Sequence, residues 1–97
     1  MTFAYSQLKK AGYGKNQQIL MAMSEYKGAN VPLEVISERL KLKQNEYSTN
    51  INTLIKRDII SRVDKGVYCF IDPLLKEYVR NFGIIDIRSE NDDDFHV

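Results

Sequence analysis

The stretch Ile59-Ile60-Ser61-Arg62-Val63-Asp64-Lys65-Gly66-Val67-Tyr68-Cys69-Phe70-Ile71-Asp72-Pro73-Leu74-Leu75 changes its periodicity twice, and those two changes decide the fold. Residues 60–63 and 67–71 are β-branched and aromatic runs separated by Asp64, Lys65 and Gly66. This is the signature of a β-hairpin, with Gly66 supplying the positive φ of the turn. Asp72-Pro73 then starts a helix: an Asp side chain accepts from otherwise unpaired N–H groups, and proline suits the first helical position because its missing N–H has no partner there. Leu74, Leu75, Tyr78, Val79 and Phe82 give that helix an apolar face, and Gly83 ends it. Cys69 lies between Tyr68 and Phe70 on the second strand and reads as a structural thiol; it is the only cysteine, which excludes an intrachain disulfide.

Upstream of the hairpin the period is helical. Tyr47, Ile51, Leu54 and Ile55 recur at i, i+4, i+7 and i+8 and predict a helix over residues 45–57. A break at residues 41–44 separates it from a shorter helix over 32–40, opened by Pro32 and buried through Leu33, Ile36 and Leu40. A longer helix precedes that one over 15–26, with Ile19, Leu20, Met23 and Tyr26 on one face, Asn16 as a candidate cap and Gly28 as a stop. Phe3, Tyr5 and Leu8 make a weaker helical stretch ending near Gly12, so residues 1–14 read as an N-terminal extension. After Gly83, Ile84, Ile85 and Ile87 are expected to pack back on the helix over 15–26, and residues 89–97 read as a disordered acidic tail with nothing to bury.

The order helix, helix, helix, hairpin, helix predicts an α+β fold: a winged helix-turn-helix, in which a three-helix bundle carries a β-hairpin wing and an additional C-terminal helix, over residues 15–88. In that arrangement the second helix of the motif enters the major groove of DNA, roughly 12 Å wide, and the hairpin reaches the neighbouring backbone. Opposite Ile51, the helix over 45–57 presents Asn45, Glu46, Thr49, Asn52, Thr53 and Lys56, with Asn50 and Arg57 on the flanks. Asn and Thr are poor helix formers, so propensity does not account for them here. Asn can pair with adenine through two hydrogen bonds, Thr offers a hydroxyl and a methyl, and Lys and Arg reach guanine or phosphate. Lys41, Lys43, Lys56, Arg57, Arg62 and Lys65 surround this face against Glu46, Asp58 and Asp64, a net +3 over residues 41–66. Such a cluster suits phosphate contacts, which supply affinity without sequence information.

Composition bounds the alternatives. With 97 residues, 43% of them hydrophobic, the chain can bury one core. No apolar run approaches the roughly 20 residues of a membrane span and no signal-peptide pattern opens the chain, so the expectation is a cytoplasmic protein with no membrane partner. The net charge of +1 hides an asymmetry: residues 86–97 carry −4, leaving +5 on residues 1–85. Gly14-Lys15 resembles the end of a phosphate-binding loop, but Lys9 stands where that motif needs Gly and Asn16 where it needs Ser or Thr. His96 has no neighbouring carboxylate or thiol in a ligand spacing, and Asp92, Asp93 and Asp94 read as a solvated run. No nucleophile sits beside a base, and no metal-ligand spacing occurs. The expectation is therefore a non-enzymatic module that needs no cofactor and has double-stranded DNA as its partner. The alternative is a docking domain for another protein.

The string Gly66-Val67-Tyr68-Cys69-Phe70-Ile71-Asp72-Pro73-Leu74 also resembles the winged-helix domain at the C-terminal end of archaeal AAA-type ATPases, where a Gly-x-Tyr-x-Phe-x-Asp-Pro-Leu string marks the second wing strand and the start of the last helix. Leu40-Lys41-Leu42 and the residues from Ser48 to Leu54 resemble the turn and recognition helix of winged-helix regulators, and the similarity spans about residues 15–82. Lys41 and Asp58 stand where such domains often carry Gly, and Lys43 where a capping Ser is common. The ATPase module with its phosphate-binding loop is not in these 97 residues. The resemblance implies DNA binding or docking without catalysis, with an ATPase module or a second protein chain as a further partner.

Overall fold

In a computed structural model, which describes residues 2–84, the chain is a small α+β fold. Five α-helices, α1 (Thr2–Ala11), α2 (Lys15–Ser24), α3 (Leu33–Leu40), α4 (Ser48–Lys56) and α5 (Pro73–Phe82), surround three strands, β1 (Val31–Pro32), β2 (Ile60–Asp64) and β3 (Val67–Phe70). The sheet is antiparallel in the order β1-β3-β2. The expectations for Ile85, Ile87 and the acidic tail fall outside the described residues.

The hairpin forms as its residues require. Ile60 pairs with Phe70 and Arg62 with Tyr68, a register shift falls between Arg62 and Asp64, and Gly66 takes φ 69° at the turn. Ile60, Tyr68 and Phe70 face the core, while Val63 remains half exposed. The Asp72 carboxylate accepts from the Leu74 N–H at 2.9 Å, Pro73 opens α5, and Gly83 closes it at φ 85°.

The small strand β1 was not legible from periodicity, because two residues carry no alternation. Val31 pairs with Tyr68 and Pro32 with Val67, and the Leu33 N–H donates to the Gly66 carbonyl at 2.8 Å. Pro32 therefore precedes α3 in extended backbone (φ −66°, ψ 144°) instead of sitting in its first turn. An edge strand tolerates a residue without an N–H, and proline's φ serves both roles.

The N-terminal segment is part of the core. Ala4, Leu8 and Ala11 recur at i, i+4 and i+7 and are buried, with α1 packed on α5 and α2. The aromatic residue that drew attention in the sequence, Tyr5, is exposed. Small alanines allow close helix approach but carry little hydropathic signal, so a division after residue 14 does not correspond to a break in packing. Asn16 does not cap α2. Gly14 precedes that helix, and the Asn16 amide donates instead to the Ala11 carbonyl at the end of α1, at 2.7 Å. At its other end α2 stops at Ser24, whose hydroxyl takes the Met21 carbonyl at 2.8 Å, four residues before Gly28.

The helix expected over 45–57 is divided. Gln44–Glu46 forms a single 3-10 turn, Tyr47 leaves helical geometry at φ −138°, and α4 begins at Ser48. This break turns the Tyr47 ring wholly into the core, where its hydroxyl meets the Ser37 hydroxyl of α3. Along α5 the buried face is narrower than expected: Leu75 and Val79 are in the core, whereas Leu74 and Phe82 are 67% and 65% exposed. Tyr78 is half-buried with its ring 5.1 Å from that of Phe82. Ile84 does pack on the body, beside Met21, Ala22 and Leu40.

Lys41 and Asp58 take φ 56° and 60°, the left-handed geometry that favours glycine. A lysine pays a steric cost there of about 1–2 kcal/mol that glycine avoids, offset in part by glycine's greater unfolded-state entropy. Lys41→Gly is expected to raise stability by about 0.5–1 kcal/mol. Urea denaturation measures this; a loss of stability would mean that the Lys41 stem contributes packing of its own.

Candidate nucleic-acid interface

Helix α4 is amphipathic in the sense its sequence prescribes. Ile51 and Leu54 are buried, Tyr47 is buried just before the helix, and Thr49, Asn52 and Lys56 are exposed on the other side. Thr53 is half-buried, and its hydroxyl donates to the Thr49 carbonyl one turn back at 2.9 Å. Asn45 is exposed but belongs to the 3-10 turn, not to α4, so it extends the helix face at a different angle. Its neighbour Glu46 is occupied locally: its carboxylate accepts from the Lys43 N–H at 3.0 Å.

The hairpin stands beside this face. Gln44, Ser48 and Asn52 form one wall of a trough of about 220 Å³, and Arg62 and Tyr68 form the other. The structure thus brings Asn52 and Arg62, ten residues apart in sequence, to the same concavity. Lys65 lies at the exposed hairpin tip, where its backbone N–H donates to the Asp64 carboxylate at 2.7 Å. Lys41 and Lys43 are exposed in the connection before α4. Among the described residues, no hydrogen bond or ion pair engages the side chains of Lys41, Lys43, Asn45, Thr49, Asn52, Lys56, Arg62 or Lys65; the ion pair that does form, Arg39 with Glu25 at 2.5 Å, is elsewhere, between α3 and the end of α2.

Arg57, expected as a phosphate contact, is exposed and also holds the end of α1. Its guanidinium donates to the carbonyls of Ala11 at 3.0 Å and Lys10 at 3.4 Å. The last carbonyls of a helix have no intrahelical partner and carry partial negative charge, so an arginine is a natural C-terminal partner for α1. Asn50, on the same flank, donates to the Asn16 side chain at 2.7 Å. Both residues fasten α4 to the α1–α2 junction. A Cβ at Gly12 (φ 97°) would lie 2.7 Å from the Arg57 guanidinium and 2.8 Å from the Asn16 amide, which shows how closely the junction fits.

Three neighbours of the face escaped sequence reasoning. Gln44 and Ser48 line the trough, and Lys15 donates to the Glu46 carbonyl at 2.9 Å across 31 positions. None has a local signal, because each owes its place to the break at Tyr47 or to the packing of α2 on α4. Cys69 is half-buried and unpaired by disulfide, and among the described residues no three His, Cys, Asp or Glu side chains converge as a metal site requires. No helix among them is long and apolar enough to cross a membrane.

No curated protein and no solved structure matches the chain significantly. A family model does match, over residues 4–79, which takes in most of α1, α2 to α4, the whole sheet and most of α5. The chain belongs to the family described as "Domain of unknown function (DUF8462)".

Proposed function

We propose that the protein is a winged helix-turn-helix module that binds double-stranded DNA and performs no chemistry, either as a transcription regulator or as the DNA-contacting C-terminal domain of an ATPase. In this assignment α3 and α4 are the helix-turn-helix, α4 is the recognition helix, and β2 and β3 form the wing, with β1 adding a third strand beside β3. One observation carries it. The exposed side of α4 is a row of amide, hydroxyl and ammonium groups, Thr49, Asn52 and Lys56, that spend no hydrogen bond on the protein, and Arg62 and Lys65 of the hairpin stand unpaired beside it. A helix is narrow enough for the major groove, and these are the groups that read base edges and phosphates.

A second function, docking of another protein, is favoured by Leu74 and Phe82 on α5 and Ile71 just before it, which are half or more exposed. Exposed apolar residues on one side of a helix are common at protein interfaces. Titrating the labelled protein with a random-sequence duplex and following backbone amide resonances by NMR separates the two. DNA binding through α4 shifts the signals of Asn45, Thr49, Asn52, Lys56, Arg62 and Lys65 and leaves Leu74 and Phe82 unmoved. An absence of shifts at low salt, or shifts confined to α5, would remove the DNA-binding assignment.

A further inference from the structure

We propose that the α1–α2 junction is a second phosphate-contacting surface, gripping the DNA backbone on the side of α4 opposite the hairpin through Lys10 and Lys15; this rests on the DNA-binding function proposed above. The two flanks of α4 are defined by what each touches. On one, Ser48 and Asn52 face Arg62 and Tyr68 across the trough. On the other, Asn50 bonds to Asn16, Arg57 to the carbonyls of Lys10 and Ala11, and the Lys15 ammonium to the Glu46 carbonyl. The junction therefore runs alongside α4 for its whole length, from the turn before it to the residue after it.

The charge on this flank is one-sided. The first 24 residues contain no Asp or Glu, and their three bases are Lys9, Lys10 and Lys15. Lys9 lies over the Tyr5 ring at 5.7 Å, while Lys10 is exposed and Lys15 half-exposed. Glu46, whose carbonyl receives the Lys15 ammonium, directs its carboxylate at the Lys43 amide. The hairpin, by contrast, mixes Arg62 and Lys65 with Asp64. Between the lysines, Gly12 and Gly14 at φ 97° and 70° form a tight connection that carries the partly exposed Tyr13. A duplex laid on α4 presents one backbone to each flank, because the major groove is bounded by both strands. The hairpin accounts for one of them. The acid-free junction matches the charge of the other, and its hydrogen bonds to α4 keep it in register with the groove-facing helix.

The test is a fluorescence anisotropy titration of a labelled random duplex of about 20 base pairs, repeated at several salt concentrations, for the full chain and its variants. Each phosphate contact contributes about 0.9 to the slope of log K against log salt. Lys10→Gln combined with Lys15→Gln should reduce the slope by about two and weaken binding about 50-fold at 0.1 M salt. Lys27→Gln, three residues beyond the end of α2, makes one of the same charge changes and should leave the slope within about 0.3 of wild type. If wild type binds with a steep slope, and Arg62→Gln with Lys65→Gln flattens it but the Lys10 and Lys15 pair does not, the second surface is overturned while DNA binding stands. If wild type shows no salt-dependent binding, the DNA-binding function itself fails. Should the Lys15 change disturb folding by circular dichroism, Lys10→Gln alone decides, with a slope reduction of about one expected and an unchanged slope contradicting the proposal.

Discussion

Leu54→Ala should destabilise the protein by about 2–5 kcal/mol, while Thr49→Ala on the same helix should change stability by less than about 0.5 kcal/mol. Leu54 is wholly buried in the single core cluster, alongside Tyr47, Ile51 and Ile59. Removing its three outer carbons forfeits their transfer free energy and leaves a cavity that the surrounding side chains only partly fill. The Ile59 N–H also donates to the Leu54 carbonyl at 3.0 Å, so the helix end and the first strand are fastened at this residue and the site has little freedom to collapse. Thr49 is exposed, and the Thr53 hydroxyl bonds to its backbone carbonyl, which alanine retains. Urea denaturation of both variants gives the comparison. Equal losses would mean that α4 presents a different face to the core, and with it a different face to solvent.

That pair of residues also marks what the sequence could disclose. The inward phase of Ile51 and Leu54, the Asp72 cap and the turn at Gly66 are all set within a few neighbouring positions, and each is found where local chemistry puts it. What was not legible depends on contacts between distant segments. Pro32 is drawn into the sheet by Val67, the exposed Arg57 bonds to carbonyls 46 and 47 positions earlier, and Asn16 is turned from a cap into a bridge between α1 and α4. The buried face of α1 was obscured for a different reason: it is made of Ala4, Leu8 and Ala11, while the more conspicuous Tyr5 points to water. For the candidate interface, periodicity identified the exposed residues of α4, but the trough shared by Asn52 and Arg62 and the nearness of Lys15 exist only once the chain is folded.

Arg57 is exposed but bonded through its guanidinium to the α1 terminus, so it is left out of the count of unpaired cations. Five unpaired cations stand around α4 and the hairpin, Lys41, Lys43, Lys56, Arg62 and Lys65, and Lys10 and Lys15, the latter bonded to the Glu46 carbonyl through one of its three N–H groups, add two on the other flank. The five alone imply a slope of log K against log salt of about −4.5, and all seven about −6. Even the smaller value corresponds to an affinity loss of several hundredfold between about 50 and 200 mM salt, because binding releases counterions from the duplex in proportion to the phosphates neutralised. A protein with net charge +1 that met DNA only through diffuse attraction, with no organised contacts, would not produce that dependence. The measurement that bears most directly on the function is therefore the equilibrium binding of the full chain to a random-sequence duplex across this salt range. Tight binding at low salt with a slope of −4 or steeper is the predicted result; no binding at about 50 mM salt, or binding indifferent to salt, would contradict it.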